Sequence, residues 1–361
     1  MGSLAHLGRC RRQDGIRPAP KARTTVKRTM RKIAGPLLQT AATVLLVGWI
    51  LGRNDATAVF GYLRACDPTW FLIAIAVLFA SIVIGIRQWR VLLEAQGLVI
   101  PGLRLFRAYN LGMFLNFVLP SGVGGDVVRA VQIHREAKGG TRGVAATLLD
   151  RMAGLFTLAL FASIASWLLA AAHPEPLFKH LAWASGATSL LFCIATVVLF
   201  SRRIVGWISP MARWLGEGAL LDRARDLRQA FLLYRSEPGI AIHVIALSVV
   251  TQFLRILVHW CCARALGLPL DFAWILLFVP IVALVSILPI SVGGWGLREG
   301  TQKTFFSLPG VMPGLDTAHA ISGSLALAVS TSLLGMIVPA VLSLVSGLLL
   351  SWRRSPISRE D

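Results

Sequence analysis

The sequence predicts an all-α polytopic membrane protein, with about six to eight transmembrane helices and two shorter, broken elements in an inverted repeat. Three observations predict it. Hydrophobic residues make up 55% of the 361 positions, charged ones only 15%, and mean hydropathy is +0.69. The apolar residues fall in long unbroken runs rather than in amphipathic periods, as spanning helices require. Finally, "LPSGVGGDVVR" (Leu119 to Arg129) returns as "LPISVGGWGLR" (Leu288 to Arg298), with leucine, proline, valine, both glycines and the arginine in register.

Taken in order, the chain opens with a basic arm, residues 1–34. Arg9, Arg11, Arg12, Arg17, Lys21, Arg23, Lys27, Arg28, Arg31 and Lys32 stand there against a single acid, Asp14, and the arm is expected to be disordered and cytoplasmic. The apolar run Gly35–Gly52 is too long for the core of a signal peptide and predicts a retained first span. Further full-length runs are Trp70–Ile86, Met152–Ala172, Leu181–Phe200 and Gly239–Cys262. The last, His319 to Leu350, fits either one helix kinked near Pro339 or two shorter elements. Around the repeated motifs the apolar pieces are shorter, Leu105–Leu119 and Phe272–Leu288. The membrane body then covers 35–351, with halves 35–200 and 239–351 joined by a basic cytoplasmic loop, 201–238, and followed by a cytoplasmic tail, 352–361. That loop mixes seven arginines with Trp207, Trp214 and Phe231, which suits an interfacial amphipathic helix or a solvated helical hairpin.

The formal charge of +19 and a pI near 11.2 would suggest nucleic acid on a soluble chain. Here the basic residues crowd into loops, so orientation and contact with anionic head groups account for them, and no nucleic-acid partner is expected. The positive-inside rule puts both termini and the Arg87–Arg104, Arg129–Arg142 and Ser201–Glu237 segments in the cytoplasm. Those assignments agree only if Leu105–Arg129 enters and leaves on one side. The Phe272–Gly310 region must begin and end on the other, as a re-entrant hairpin or as a full in-and-out pair. Trp49, Trp70, Trp89, Trp167 and Trp260 are expected as interfacial anchors. Five cysteines show no metal-ligand or redox spacing, and no metal or cofactor is expected.

The motifs carry the candidate chemistry. Pro120 and Pro289 end helices, while the pairs Gly124–Gly125 and Gly293–Gly294 permit backbone shapes that other residues resist. In hydrocarbon such breaks are tolerated only inside protein or along a wet cavity. Short helices starting at Asp126 and near Trp295 would aim free amides at an anion such as a lipid phosphate. Asp126 then caps its helix or serves as a proton-linked or cation-linked carboxylate. Ser121 and Ser291 cap their own turns or offer hydroxyl ligands. Arg129 and Arg298, four residues behind the second glycine, either grip phosphate bidentately or pair locally, Arg298 with Glu299. Arg107 and Asn110 would join the first site. Asp150 and Arg151 open the third full span, for an ion pair or substrate contact, and Gln252, Arg255 and His259 share a helix face that should point into the bundle.

No phosphate loop, nucleophile elbow or metal-binding helix is visible, so an enzyme is not expected. At "NFVLPSGVGGDVVR" (Asn116 to Arg129), "LLDRMAGL" (Leu148 to Leu155) and "LPISVGGWGLRE" (Leu288 to Glu299), supported by "IRQWRVLL" (Ile86 to Leu93), the chain resembles the transmembrane region of lysylphosphatidylglycerol synthases. The resemblance implies a flippase-like bacterial or archaeal inner-membrane protein with re-entrant elements at both motifs. The separate synthase domain of the fused members is absent from this sequence. The implied activity is lipid translocation between leaflets, of an anionic, aminoacylated, hopanoid or polyprenyl-linked lipid, with a separate lipid-modifying enzyme as a partner. The alternatives are a membrane-embedded transferase with Asp126 or Glu299 as acid or base, and a non-transporting assembly factor.

Overall fold

The structure is a computed structural model and describes residues 56–119, 124–137, 140–172, 237–286, 291–308 and 310–352, with isolated positions at 45, 179, 180, 183, 186, 187 and 190. All described elements are helical: α1 (Ala56–Arg64), α2 (Pro68–Ala95), α3 (Gly102–Val118), α4 (Gly124–Ala137), α5 (Gly140–Ala172), α6 (Pro238–Ala265), α7 (Phe272–Val285), a 3-10 turn (Val292–Gly294), α8 (Leu297–Phe306) and α9 (Thr317–Trp352). Among the described residues α2, α5, α6 and α9 are long and apolar enough to cross a membrane. The expected spans Gly35–Gly52 and Leu181–Phe200, the N-terminal arm and most of the 201–238 loop lie outside the described residues.

Each spanning helix outruns the apolar run that predicted it. Hydropathy sees only the hydrocarbon-facing middle, while helix ends are set by caps. Asp67 accepts the backbone N–H of Thr69 at 2.8 Å and Pro68 follows it, which starts α2 two residues before its apolar run. Pro238 opens α6 in the same way. Asp316 accepts from the backbone N–H of His319 at 2.8 Å and meets its ring at the same distance, bonds that hold this exposed carboxyl below its usual range. The final stretch is one helix with Pro339 inside it, rather than two elements.

The short helix expected from Asp126 is α4, residues 124–137, and it runs through most of the Arg129–Arg142 segment expected as a cytoplasmic loop; Arg129 is only 5% exposed, and α5 already begins at Gly140. Arg129 is buried because Asp126 and Asp150 neutralise it, while Arg135 and Arg142 stay exposed. For the same reason Asp150 and Arg151 lie well inside α5 and do not open it.

Two ends of the bundle can be told apart. The backbone N–H of Asp67 donates to the carbonyl of Ala265 at 2.8 Å, so α2 starts where α6 finishes. α3 therefore begins at the end where α2 stops, seven residues after Ala95, and α7 begins at the opposite end, seven residues after Ala265. α3 and α4 form one hairpin, α7 and α8 another, and each points its broken tip into the middle of the bundle. Phe278, stacked on Phe305 at 4.8 Å and edge-on to Phe306, locks the second hairpin. The first closes by backbone approach, because Gly112 and Gly125 face each other so closely that a Cβ on Gly125 would land on the Gly112 carbonyl.

Candidate functional site

The tips of the two hairpins touch. Gly293, at φ 58°, lies against the Phe117 backbone where no side chain would fit, and the Trp295 indole N–H donates to the Phe117 carbonyl at 3.2 Å. Gly294 and Gly296 also have positive φ, 81° and 79°, so the second break is a run of left-handed glycine turns that swings the chain from the 3-10 turn into α8. At the first break the amide of Gly125 donates to the Asn116 side-chain oxygen at 2.9 Å. The first free amide of α4 is thereby satisfied within the protein.

Beside the tips lies a cavity of about 260 Å3, walled by α2, α3, α4, α5, α6, α7 and the second break. Polar side chains crowd its wall: Gln88, Tyr109, Asn116, Asp126, Arg129, Asp150, Arg151, Gln252, Arg255 and Arg298. They divide into two groups. Arg129 donates to Asp150 at 3.1 Å and to Asp126 at 3.4 Å, and Arg151 reaches the other Asp126 oxygen at 2.7 Å. Two acids and two arginines, all on α4 and α5, make a neutral quartet. Its central guanidinium also lies against two aromatic rings, 4.1 Å from the centroid of Trp89 and 4.4 Å from that of Tyr109. Arg255 and Arg298 form the other group. Among the described residues neither has a carboxylate within ion-pair distance; Arg255 donates to the Tyr109 hydroxyl at 3.2 Å, and Arg298 lies 4.7 Å over the Phe117 ring. Four arginines against two aspartates leave the wall with two uncompensated positive charges.

A second chamber of about 230 Å3 adjoins the first, and Met113, Phe117, Leu158, Gln252, Arg255, Ala283 and Arg298 line both. It is the more apolar of the two, with His259, Gln302 and Thr331 among its polar lining. Gln302 is fully buried and neither amide atom has a protein partner.

The predicted site residues are thus partly united. Asp126, Arg129, Asp150, Arg151, Arg255, Gly293 and Arg298 meet at one cavity. Gly124, Gly125 and Gly294 shape the breaks beside it. Asp126 is the third residue of α4, not its cap, because both carboxylate oxygens face arginines. The helix expected near Trp295 is α8, which starts at Leu297, just after Trp295 closes the 3-10 turn. Glu299 does not pair with Arg298: its two oxygens accept from the Gly296 amide at 2.6 Å and the Ser332 hydroxyl at 2.7 Å, fixing the start of α8 to α9. The Ser291 hydroxyl is buried without a protein partner and caps nothing. Asn110 is buried, donating to the Phe106 carbonyl at 2.9 Å, and Arg107 lines a different pocket, so neither joins the cavity. Pro120, Ser121 and Pro289 lie outside the described residues. Trp89 is a correction: it has no exposed surface, and its ring covers Arg129 instead of anchoring an interface. Sequence reasoning missed Tyr109, Asn116 and Gln302. Asn116 lies inside the first resemblance motif, which was a signal; nothing local distinguishes the other two.

Two proteins of Methanothermobacter thermautotrophicus, both described as UPF0104 membrane protein, are similar to this chain. One is 23% identical over 314 residues, 80% of this chain and 90% of the relative; the other is 24% identical over 346 residues, 86% and 93%. Residues 36–338, from before the first described helix to the middle third of α9, match the family described as the lysylphosphatidylglycerol synthase TM region, and the chain belongs to that family.

Proposed function

We propose that this membrane protein is a lipid translocase whose cargo carries an anionic head group, held in the cavity between the two broken hairpins. The observation that carries the reading is the pair Arg255 and Arg298. A charge inside a membrane protein is costly unless paired, and these two face an open cavity with no carboxylate partner among the described residues. A phosphate of charge near −2 would complete the balance, with the planar guanidinium fork on each side. The neutral quartet behind them keeps the site rigid.

In this reading the two hairpins are re-entrant elements of an inverted repeat, entering from opposite faces and meeting near the bilayer midplane. Their start at opposite ends of the bundle and the contact of Phe117 with Gly293 support it. Arg87, Arg90, Arg104, Arg107, Arg135 and Arg142 all lie toward one end, which favours that end, where α9 also finishes, as cytoplasmic. The adjoining apolar chamber offers the lipid stem a place while the phosphate sits at the wall the chambers share.

The test is a fluorescent-lipid flip assay in proteoliposomes of the inner-membrane lipids, offering phosphatidylglycerol, phosphatidic acid, a polyprenyl phosphate and phosphatidylcholine. The wild type is expected to accelerate an anionic lipid, and the double variant Arg255→Ala, Arg298→Ala to flip it at the protein-free rate. Wild type indistinguishable from empty vesicles for every lipid offered would sink the proposal.

A further inference from the structure

A second basic pocket, of about 410 Å3, lies at the end of the bundle where α3 begins and α4 and α9 finish, and it shares no lining residue with the central cavity. Arg104 and Arg107 from the first turns of α3, Arg135 and Gln132 from the last turns of α4, and Ser351 from the last turn of α9 supply its polar lining. Ile100, Ala108, Ile133 and Leu350 make an apolar floor, and no described acid lines it. Gly347 lies in its wall. The Arg107 guanidinium lies across the bare backbone of α9 there, its Nε, Cζ and Nη2 at 3.4, 3.5 and 3.7 Å from where a Cβ would stand.

Arginines at a membrane surface are ordinary, and most need no ligand. These three differ because two helices, α3 and α4, converge them on one concave, apolar-floored space that no described acid lines. On the neighbouring face of α9, Leu344 and Leu348 are 67% and 65% exposed, a surface for acyl chains directly beside the pocket. We infer that this pocket binds the head group of an anionic phospholipid of the surrounding bilayer, and that two phosphodiesters suit its three guanidinium groups better than one. The bound lipid joins the open base of the α3–α4 hairpin to the end of α9. It acts as a resident clamp and is not the cargo.

The inference stands apart from the translocase reading and is tested on the purified full chain in detergent, by following thermal unfolding and native mass spectrometry as lipid is added. Cardiolipin is expected to raise the melting temperature more than phosphatidylglycerol, and phosphatidylcholine not to raise it. The triple variant Arg104→Ala, Arg107→Ala, Arg135→Ala should bind cardiolipin roughly a hundredfold more weakly, about a factor of five per arginine. Gly347→Leu keeps every charge and fills the pocket, so it should lose the same response even if the triple variant does not fold. Arg298→Ala should keep it. An unchanged response in Gly347→Leu, a response lost in Arg298→Ala, or an equal rise with inorganic phosphate alone would each overturn the assignment, the last by making this a free-anion site.

Discussion

The two breaks share a sequence register and differ in chemistry, because the residue after the second glycine differs. In the first it is Asp126, which claims Arg129 and Arg151; in the second it is Trp295, which uses its indole to hold the Phe117 carbonyl. The arginine that follows each glycine pair is therefore caged in one half and left without a carboxylate in the other. A repeated motif fixes a backbone shape. Whether its arginine is caged depends on the residue after the second glycine and on a carboxylate from another helix, Asp150.

The sharpest way to break that comparison is to remove each arginine in turn. Arg129→Ala strands Asp150 in a buried site and leaves Asp126 to Arg151 alone, and breaking such a pair costs about 3–5 kcal/mol. Loss of folded protein in detergent, read by thermal unfolding and size-exclusion chromatography, is the expected result. The combined change Arg129→Met, Asp150→Asn removes one acid and one base together, leaves the Asp126–Arg151 pair in place, and should recover much of that stability. Arg298→Ala discards a charge with no carboxylate at ion-pair distance among the described residues, so its stability change should stay within about 1 kcal/mol while flipping of the anionic lipid falls. Equal destabilisation by Arg129→Ala and Arg298→Ala would erase the distinction between the halves.

The glycines sharpen the same contrast. Gly293→Ala meets two costs, about 1–2 kcal/mol for a left-handed residue and about 1–3 kcal/mol for overlap with the Phe117 backbone. Gly125→Ala meets only the second, against the Gly112 carbonyl. Denaturation of the two variants should therefore rank Gly293→Ala as the more damaging.

Much of the fold could be read from the sequence, since long apolar runs and a proline beside paired glycines each have one cheap structural solution in a membrane. The cavity was legible in its charged members for a related reason: an arginine or aspartate in an apolar stretch must face inward. What could not be read was partnership. Whether Arg129 grips a ligand or a carboxylate depends on Asp150 arriving from another helix, 21 residues away, and the sequence holds no distance. Trp89 illustrates the opposite failure. Tryptophan near a helix end usually marks an interface, and only the three-dimensional placement of a guanidinium beneath it reverses that reading. Glu299 was ambiguous in the same way until Ser332 and the Gly296 amide were seen to occupy both its oxygens.

Gln302 gives the smallest effect and the finest discrimination. It projects from α8, four residues after Arg298, into the more apolar chamber, and its amide is buried without a protein partner. Such a group is expensive, so Gln302→Leu should stabilise the fold by about 1–3 kcal/mol if the amide meets nothing but water or empty space. A group retained at that cost in the wall of a cavity next to two unpaired arginines is expected to touch the cargo. The variant should then melt at a higher temperature and flip lipid more slowly than wild type, a split that a purely structural residue would not produce. Faster or unchanged flipping in the stabilised protein would remove the second chamber from the path. The head group would then remain confined to the polar cavity beside Arg255.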